Sequence, residues 1–346
     1  MVRHVRTILG DVATFHPSPA RRAVALRAAA AVGVPLATLA ALGRPEWGLY
    51  AVFGAFAAIY GGSVAHRTRW RHQGFVGLLL AGATVSGAAV GVLDARAWPA
   101  VAVAAAWGVV AAHFSDRQRW LPPGPLFLVF AAGACAARPT QAYEVAAAAA
   151  VALGTTAWAL LLGALEERRA AVDREPHHGR STFPLHPERH RMHLVRVAAV
   201  VVVAGGTATL LSIPHPYWAM VAAVAPISVP RLRAQVARGV QRSAGTVVGV
   251  LLAAALLALD LPVWGVVLAA TVLQSAAELT VTRNYAVAMV FITPLALLMG
   301  HLGHPEPVGA MVVGRLVETL LGVAVGIGAA WLTRHRPPAP AAPTAA

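Results

Sequence analysis

Apolar runs recur along nearly the whole of this 346-residue chain, separated only by short polar or Pro/Gly-bearing links. A helix needs about 20 apolar residues to cross the hydrocarbon core of a bilayer, and lipid admits only helices or closed barrels. The runs fall near residues 24–42, 47–62, 75–93, 98–114, 126–140, 143–165, 195–213, 217–230, 243–259, 262–281, 284–300 and 309–332. They predict an all-α polytopic membrane helical bundle of about 12 transmembrane spans. Several runs are short for a full crossing, so two or four are expected to be broken or re-entrant. With 58% hydrophobic and only 12% charged residues, a soluble globular protein is excluded.

Charge gives an independent test, because short cytoplasmic loops carry the excess of Lys and Arg. There is no Lys; all 28 basic residues are Arg. With the N-terminus inside, 24 arginines fall on cytoplasmic segments and three, Arg44, Arg96 and Arg138, on outer ones. Only Arg315 is left within a span. The bias places both termini in the cytoplasm and the chain in the cell (plasma or inner) membrane. Its net charge of +14 therefore reads as topology determinants and contacts for anionic lipids, with no nucleic acid as partner. The charge-then-apolar start resembles a secretory signal, but its polar lead and the many later spans favour an uncleaved first helix.

The chain also repeats itself. Residues 45–74 and 216–245 align without a gap at an offset of 171, pairing Pro45 with Pro216, Trp47 with Trp218, Arg67 with Arg238, Arg71 with Arg242 and Gly74 with Gly245. Two parallel six-span repeats follow, each with an even number of crossings. The expected organisation is a cytoplasmic segment 1–22, repeat 23–165, cytoplasmic linker 166–194, repeat 195–333 and a disordered Pro/Ala tail 334–346.

Two charges stand in the last apolar run, in RLVETLLG at 315–322. A charge near the bilayer centre costs roughly 2.5–3.5 kcal/mol on insertion scales, so Arg315 and Glu318 must face the interior. At i and i+3 they share a helix face and can pair with each other. A structural salt bridge and a substrate or proton site both fit. Short spans interrupted by Gly or Pro at equivalent places in two repeats point to a binding site. Spans two and eight qualify, the second through Pro226 and Pro230, and so do spans five and eleven, the latter through Thr293 and Pro294. Kinked packing is the plainer reading of each.

Other features carry less. His186, His190 and His193 have a spacing that can gather imidazoles, but Pro184 and Pro187 favour an irregular solvated linker, so no metal is expected. Cys135 lies alone in an apolar run. No P-loop, nucleotide fingerprint, HExxH or nucleophile elbow is present, which argues against an enzyme or an ATP-driven pump, and no cofactor is expected.

Four stretches of the second half, PYWAM (216–220), RGVQRSAGTVVG (238–249), TRNYAVAMVFITP (282–294) and RLVETLLG (315–322), resemble the membrane domain of the fusaric acid resistance (FUSC) family. The resemblance covers about residues 195–332. It implies a bacterial inner-membrane protein, with export of aromatic carboxylic acids by some members, driven by the proton gradient. The related aluminium-activated malate channels of plants imply anion permeation as the wider theme. Two departures stand out: many larger relatives have a cytoplasmic domain between the halves, and the first half has no counterpart of the Arg315, Glu318 pair.

Joined to the residues, the resemblance implies a site for a small organic anion. Arg315 would be the counter-charge and Glu318 either its restraint or a proton exchanger, with protons as coupling ion. Asn284, Tyr285, Thr293, Pro294 and Pro226 would complete the substrate contacts. An organic-anion channel and a non-transporting scaffold remain as alternatives, and a homo-oligomer is compatible with all three.

Overall fold

In the computed structural model, residues 22–61, 66–169, 187–303 and 306–333 are described. Twelve α-helices run through them: α1 (Arg22–Ala41), α2 (Gly48–Ala55), α3 (His66–Gly91), α4 (Ala97–Gln118), α5 (Leu126–Ala137), α6 (Ala142–Arg169), α7 (Pro187–Leu210), α8 (Pro216–Ile227), α9 (Leu232–Ala258), α10 (Val263–Thr280), α11 (Tyr285–Gly303) and α12 (Val308–Leu332). Among the described residues there is no strand. Among the described residues, nine helices are long and apolar enough to cross a membrane. The protein is a polytopic helical membrane bundle. Large apolar side chains such as Leu78, Leu251 and Leu268 are exposed on its flanks, as a lipid-facing surface requires.

Three helices are short. α5 and α8 have 12 residues each, about 18 Å of rise, and α2 has eight residues between the 3-10 turns Pro45–Trp47 and Phe56–Ile59. These are the expected broken spans two, five and eight. α8 stops one residue after Pro226; the Ser228 hydroxyl donates to its Val224 O at 2.8 Å, and just beyond the helix the Gln235 amide donates to Val229 O at 2.7 Å. Beyond α2, Gln73 donates to Tyr60 O at 2.9 Å in the same manner. Span eleven departs from expectation. Pro294 lies inside α11, which continues unbroken to Gly303. The missing N–H removes one helical hydrogen bond there, where α11 packs closely on Gly249 of α9.

Ends of elements also differ from the apolar runs. α6 extends to Arg169 and α7 begins at Pro187, both inside the stretch 166–194 expected as linker. Pro187 occupies the first helical turn, where a missing N–H costs nothing. His190 and His193 thereby become helical and face Asp116 of α4, with His190 Nδ1 at 3.1 Å and His193 Nε2 at 3.9 Å from its carboxylate. His186 lies outside the described residues, as do the segments 1–21 and 334–346.

Glycines set the closest crossings. A Cβ on Gly322 or Gly326 of α12 would collide with the Ala219 or Ala223 carbonyl of α8, and one on Gly245 of α9 with the Ala286 carbonyl of α11. These small-residue faces bring α12 against α8 and α9 against α11. In the first part of the chain α6 packs on α2 and α3 on α5, while α1 lies along α10 and α4 along α7.

Candidate functional site

α12 carries Arg315 and Glu318 on the face turned to α8 and α9, and both are shut off from solvent: Arg315 is 1% exposed and Glu318 is 0%. The expected ion pair between them is absent. Glu318 Oε1 instead accepts the backbone N–H of His215 at 2.9 Å, and its Oε2 has no hydrogen-bond partner. Spacing along a helix sets which face a residue occupies, but the loop before α8 reaches the carboxylate first.

Arg315 turns to an aromatic partner. Its guanidinium carbon lies 3.6 Å from the ring centroid of Trp218 on α8. Stacking uses the flat face of the guanidinium and leaves its N–H edge available. Nε and Nη1 of that edge are buried without a hydrogen-bond partner.

Two more arginines extend this positive seam. Arg242 is 2% exposed, about 15 Å along α9 from its start. By loop position it counts among the cytoplasmic arginines, but α9 begins at Leu232, well before the apolar run at 243, and buries it within the bundle. Its Nη1 donates to the Tyr285 hydroxyl at 2.9 Å, and Arg238 stacks over the Tyr285 ring at 3.7 Å. Arg242 and Tyr285 lie within electrostatic reach of Arg315. Nε of Arg238 and of Arg242, and the hydroxyls of Thr246, Thr293 and Thr319, are likewise buried and unpartnered. Polar groups of this kind inside a membrane bundle mark a pathway or site. Tyr285→Phe is expected to destabilise the protein by about 1.5–3 kcal/mol, because it removes the acceptor of a buried charged donor. Chemical unfolding in detergent measures that loss.

The remaining expected contacts divide. Tyr285 belongs to the seam. Asn284 is the N-cap of α11: its Oδ1 accepts the N–H groups of Ala286 at 2.9 Å and Val287 at 3.2 Å. Thr293 is fully buried against Gly249 at the α9–α11 crossing, with Pro294 buried beside it in the chain. Pro226 packs near Gly326 at the α8–α12 crossing.

A cavity of about 280 Å³ opens beside the pair. Glu318, Trp218, Tyr217, His215, Glu306 and Arg138 are among the residues that line it; Arg315 is not. Phe130 of α5 stacks on Tyr217 with centroids 6.2 Å apart and meets Trp218 at 4.7 Å, which gives the cavity an aromatic wall. His215 and Glu306 escape the sequence reading. A His between two prolines at the start of a short span was the available signal.

The charged seam and most of the cavity fall in the region that matches known proteins. Residues 198–329 match the model of the family described as fusaric acid resistance protein-like. The uncharacterized membrane protein YvaC of Bacillus subtilis (strain 168) is 29% identical over 134 residues, which are 38% of this chain and 21% of that protein. The chain thus spans about a fifth of the length of that relative. No solved structure matches. Arg242, Tyr285, Arg315 and Glu318 of this membrane protein all lie inside residues 198–329, the stretch that is similar to the fusaric acid resistance protein-like family.

Proposed function

We propose that the protein exports small aromatic carboxylic acids from the cytoplasm, with inward proton movement as the driving force. The observation that carries this reading is the Arg315 guanidinium, stacked on Trp218 with Nε and Nη1 buried and unpartnered. A carboxylate can take that edge in a bidentate pair while an aromatic ring packs on the neighbouring aromatic side chains. The cavity of about 280 Å³ is close to the lower limit of small-molecule sites, which suits a single-ring acid.

The organisation proposed with it is two six-helix repeats, 23–165 and 195–333, with both termini in the cytoplasm of a bacterial inner membrane. Matching packing supports the repeats: α6 on α2 and α12 on α8, α3 on α5 and α9 on α11, with α1–α10 and α4–α7 exchanging partners between halves. On that orientation the cavity, bordered by Arg96 and Arg138, opens outward.

An anion channel is the second reading, favoured by the succession Arg238, Arg242, Arg315 between α9 and α12. Inverted vesicles containing the protein separate the two. Labelled benzoate-type and fusarate-type acids are expected to accumulate only when the lumen is acid. Flux that equilibrates without accumulation identifies the channel, and no flux of any member of the panel defeats both readings.

A further inference from the structure

We infer that His215 carries protons between the outer cavity and Glu318, with Glu306 as the group that exchanges them with solvent; this rests on the proton-coupled reading above. Three titratable side chains form a graded series. The Glu306 side chain is 33% exposed, that of His215 is 24% exposed, and Glu318 is sealed at 0%. Glu306 Oε1 lies 3.1 Å from His215 Nε2, and His215 Nδ1 lies 3.9 Å from Glu318 Oε1. All three line one cavity.

Local sequence explains the placement. His215 stands between Pro214 and Pro216, and Pro216 opens α8. A residue before proline is kept out of the helical region, so His215 is non-helical, at φ −128° and ψ 70°, and forms the N-cap position of α8. That conformation aims its backbone N–H at Glu318 and sets its ring across the gap between the two carboxylates. The other charged or titratable groups nearby are Arg96 and Arg138 on the cavity wall, Arg315 one turn from Glu318, Tyr217 edge-on to the imidazole at 5.8 Å, and His301, whose Nδ1 accepts the Glu306 N–H at 3.4 Å. None of these stands between the ring and either carboxylate oxygen in the contacts described.

The transfer balances without a co-reactant. Glu306, recharged from cavity water, gives a proton to Nε2 of a neutral Nδ1–H imidazole. The imidazolium so formed gives its Nδ1 proton to Glu318 Oε1, leaving the Nε2–H tautomer. Release of that second hydrogen to the cavity and reprotonation at Nδ1 resets the ring. Direct transfer needs the Nδ1 to Oε1 gap to close by about 1 Å, a movement the imidazole makes by turning on its own bond. The unpartnered Oε2 leaves Glu318 free to receive or pass a proton on the α12 side.

His215→Asn tests this, since the backbone N–H that holds Glu318 is kept. Vesicles carrying labelled benzoate and an internal pH dye read two quantities: accumulation driven by an acid lumen, and exchange of labelled for unlabelled benzoate at equal pH. Accumulation and its coupled proton movement are expected to fall at least about tenfold further than exchange. Glu306→Gln is expected to do the same in part, because water still reaches His215. His215→Asn with accumulation and proton movement like wild type overturns the inference, and so does an equal loss of exchange, which marks a structural residue. Absence of accumulation in the wild type defeats the exporter reading itself and removes the relay with it.

Discussion

Arg315→Gln is expected to lower aromatic-acid flux about a hundredfold, the loss that follows when a desolvated charged partner worth about 3 kcal/mol is removed. Glutamine keeps most of the length of the side chain and a polar head, so α12 should still pack on α8. It cannot offer two parallel N–H bonds to a carboxylate, and it cannot hold positive charge over Trp218. Stability should move the other way or stay level. A buried guanidinium with unpartnered N–H groups is a burden to the fold, and neutralising it removes that burden while giving up about 2 kcal/mol of cation–π attraction. Flux in vesicles and unfolding in detergent, measured on the same preparation, distinguish a site from a strut. A variant that transports normally would show that Arg315 has no role in substrate binding. Arg315→Lys should fall between the two, since charge survives and the planar fork does not.

Glu318 calls for a paired substitution, because it serves the fold and the proposed chemistry through one oxygen. Glu318→Ala strands the partly buried His215 N–H, and a loss of about 1–3 kcal/mol in stability is expected. Glu318→Gln keeps a carbonyl oxygen for that N–H and should fold normally, yet it cannot bind and release a proton. Its expected phenotype is transport without coupling: labelled acid equilibrates across the membrane, and an acid lumen no longer concentrates it. Accumulation by Glu318→Gln at the wild-type level would remove Glu318 from the proton path and leave it a structural acceptor.

The fold was legible wherever the length of an apolar run decided the outcome, and less so where satisfaction of backbone groups did. Among the described residues, nine long helices and the short α2, α5 and α8 lie where hydropathy and the Gly/Pro breaks put them. Pro294 misled because proline signals a possible break, while the outcome depends on what packs around it, here α9 at Gly249. Arg242 misled because the apolar run starts eleven residues after the helix does. For the candidate site, Arg315 and Glu318 could be recognised as interior because lipid excludes charge. Their partners could not be recognised, since Trp218 and His215 arrive from α8 and the loop before it, about a hundred residues away in sequence. Asn284 was readable in another way: an Asn directly before an apolar helical run is a capping signal first and a ligand contact second.

Cys135 gives the molecule an experimental handle. It is the sole thiol in the chain, and it is wholly buried in α5 beside the backbone of Gly87. A membrane-impermeant maleimide therefore meets almost no native background, and the unaltered chain, its one thiol buried, can serve as the unlabelled reference. Single cysteines placed at Asp94 and Arg117, exposed near opposite ends of α4, would report sidedness directly. Others placed along the α9 and α12 seam would report, by their labelling with and without an acid substrate, which stretch of it opens to each side of the membrane.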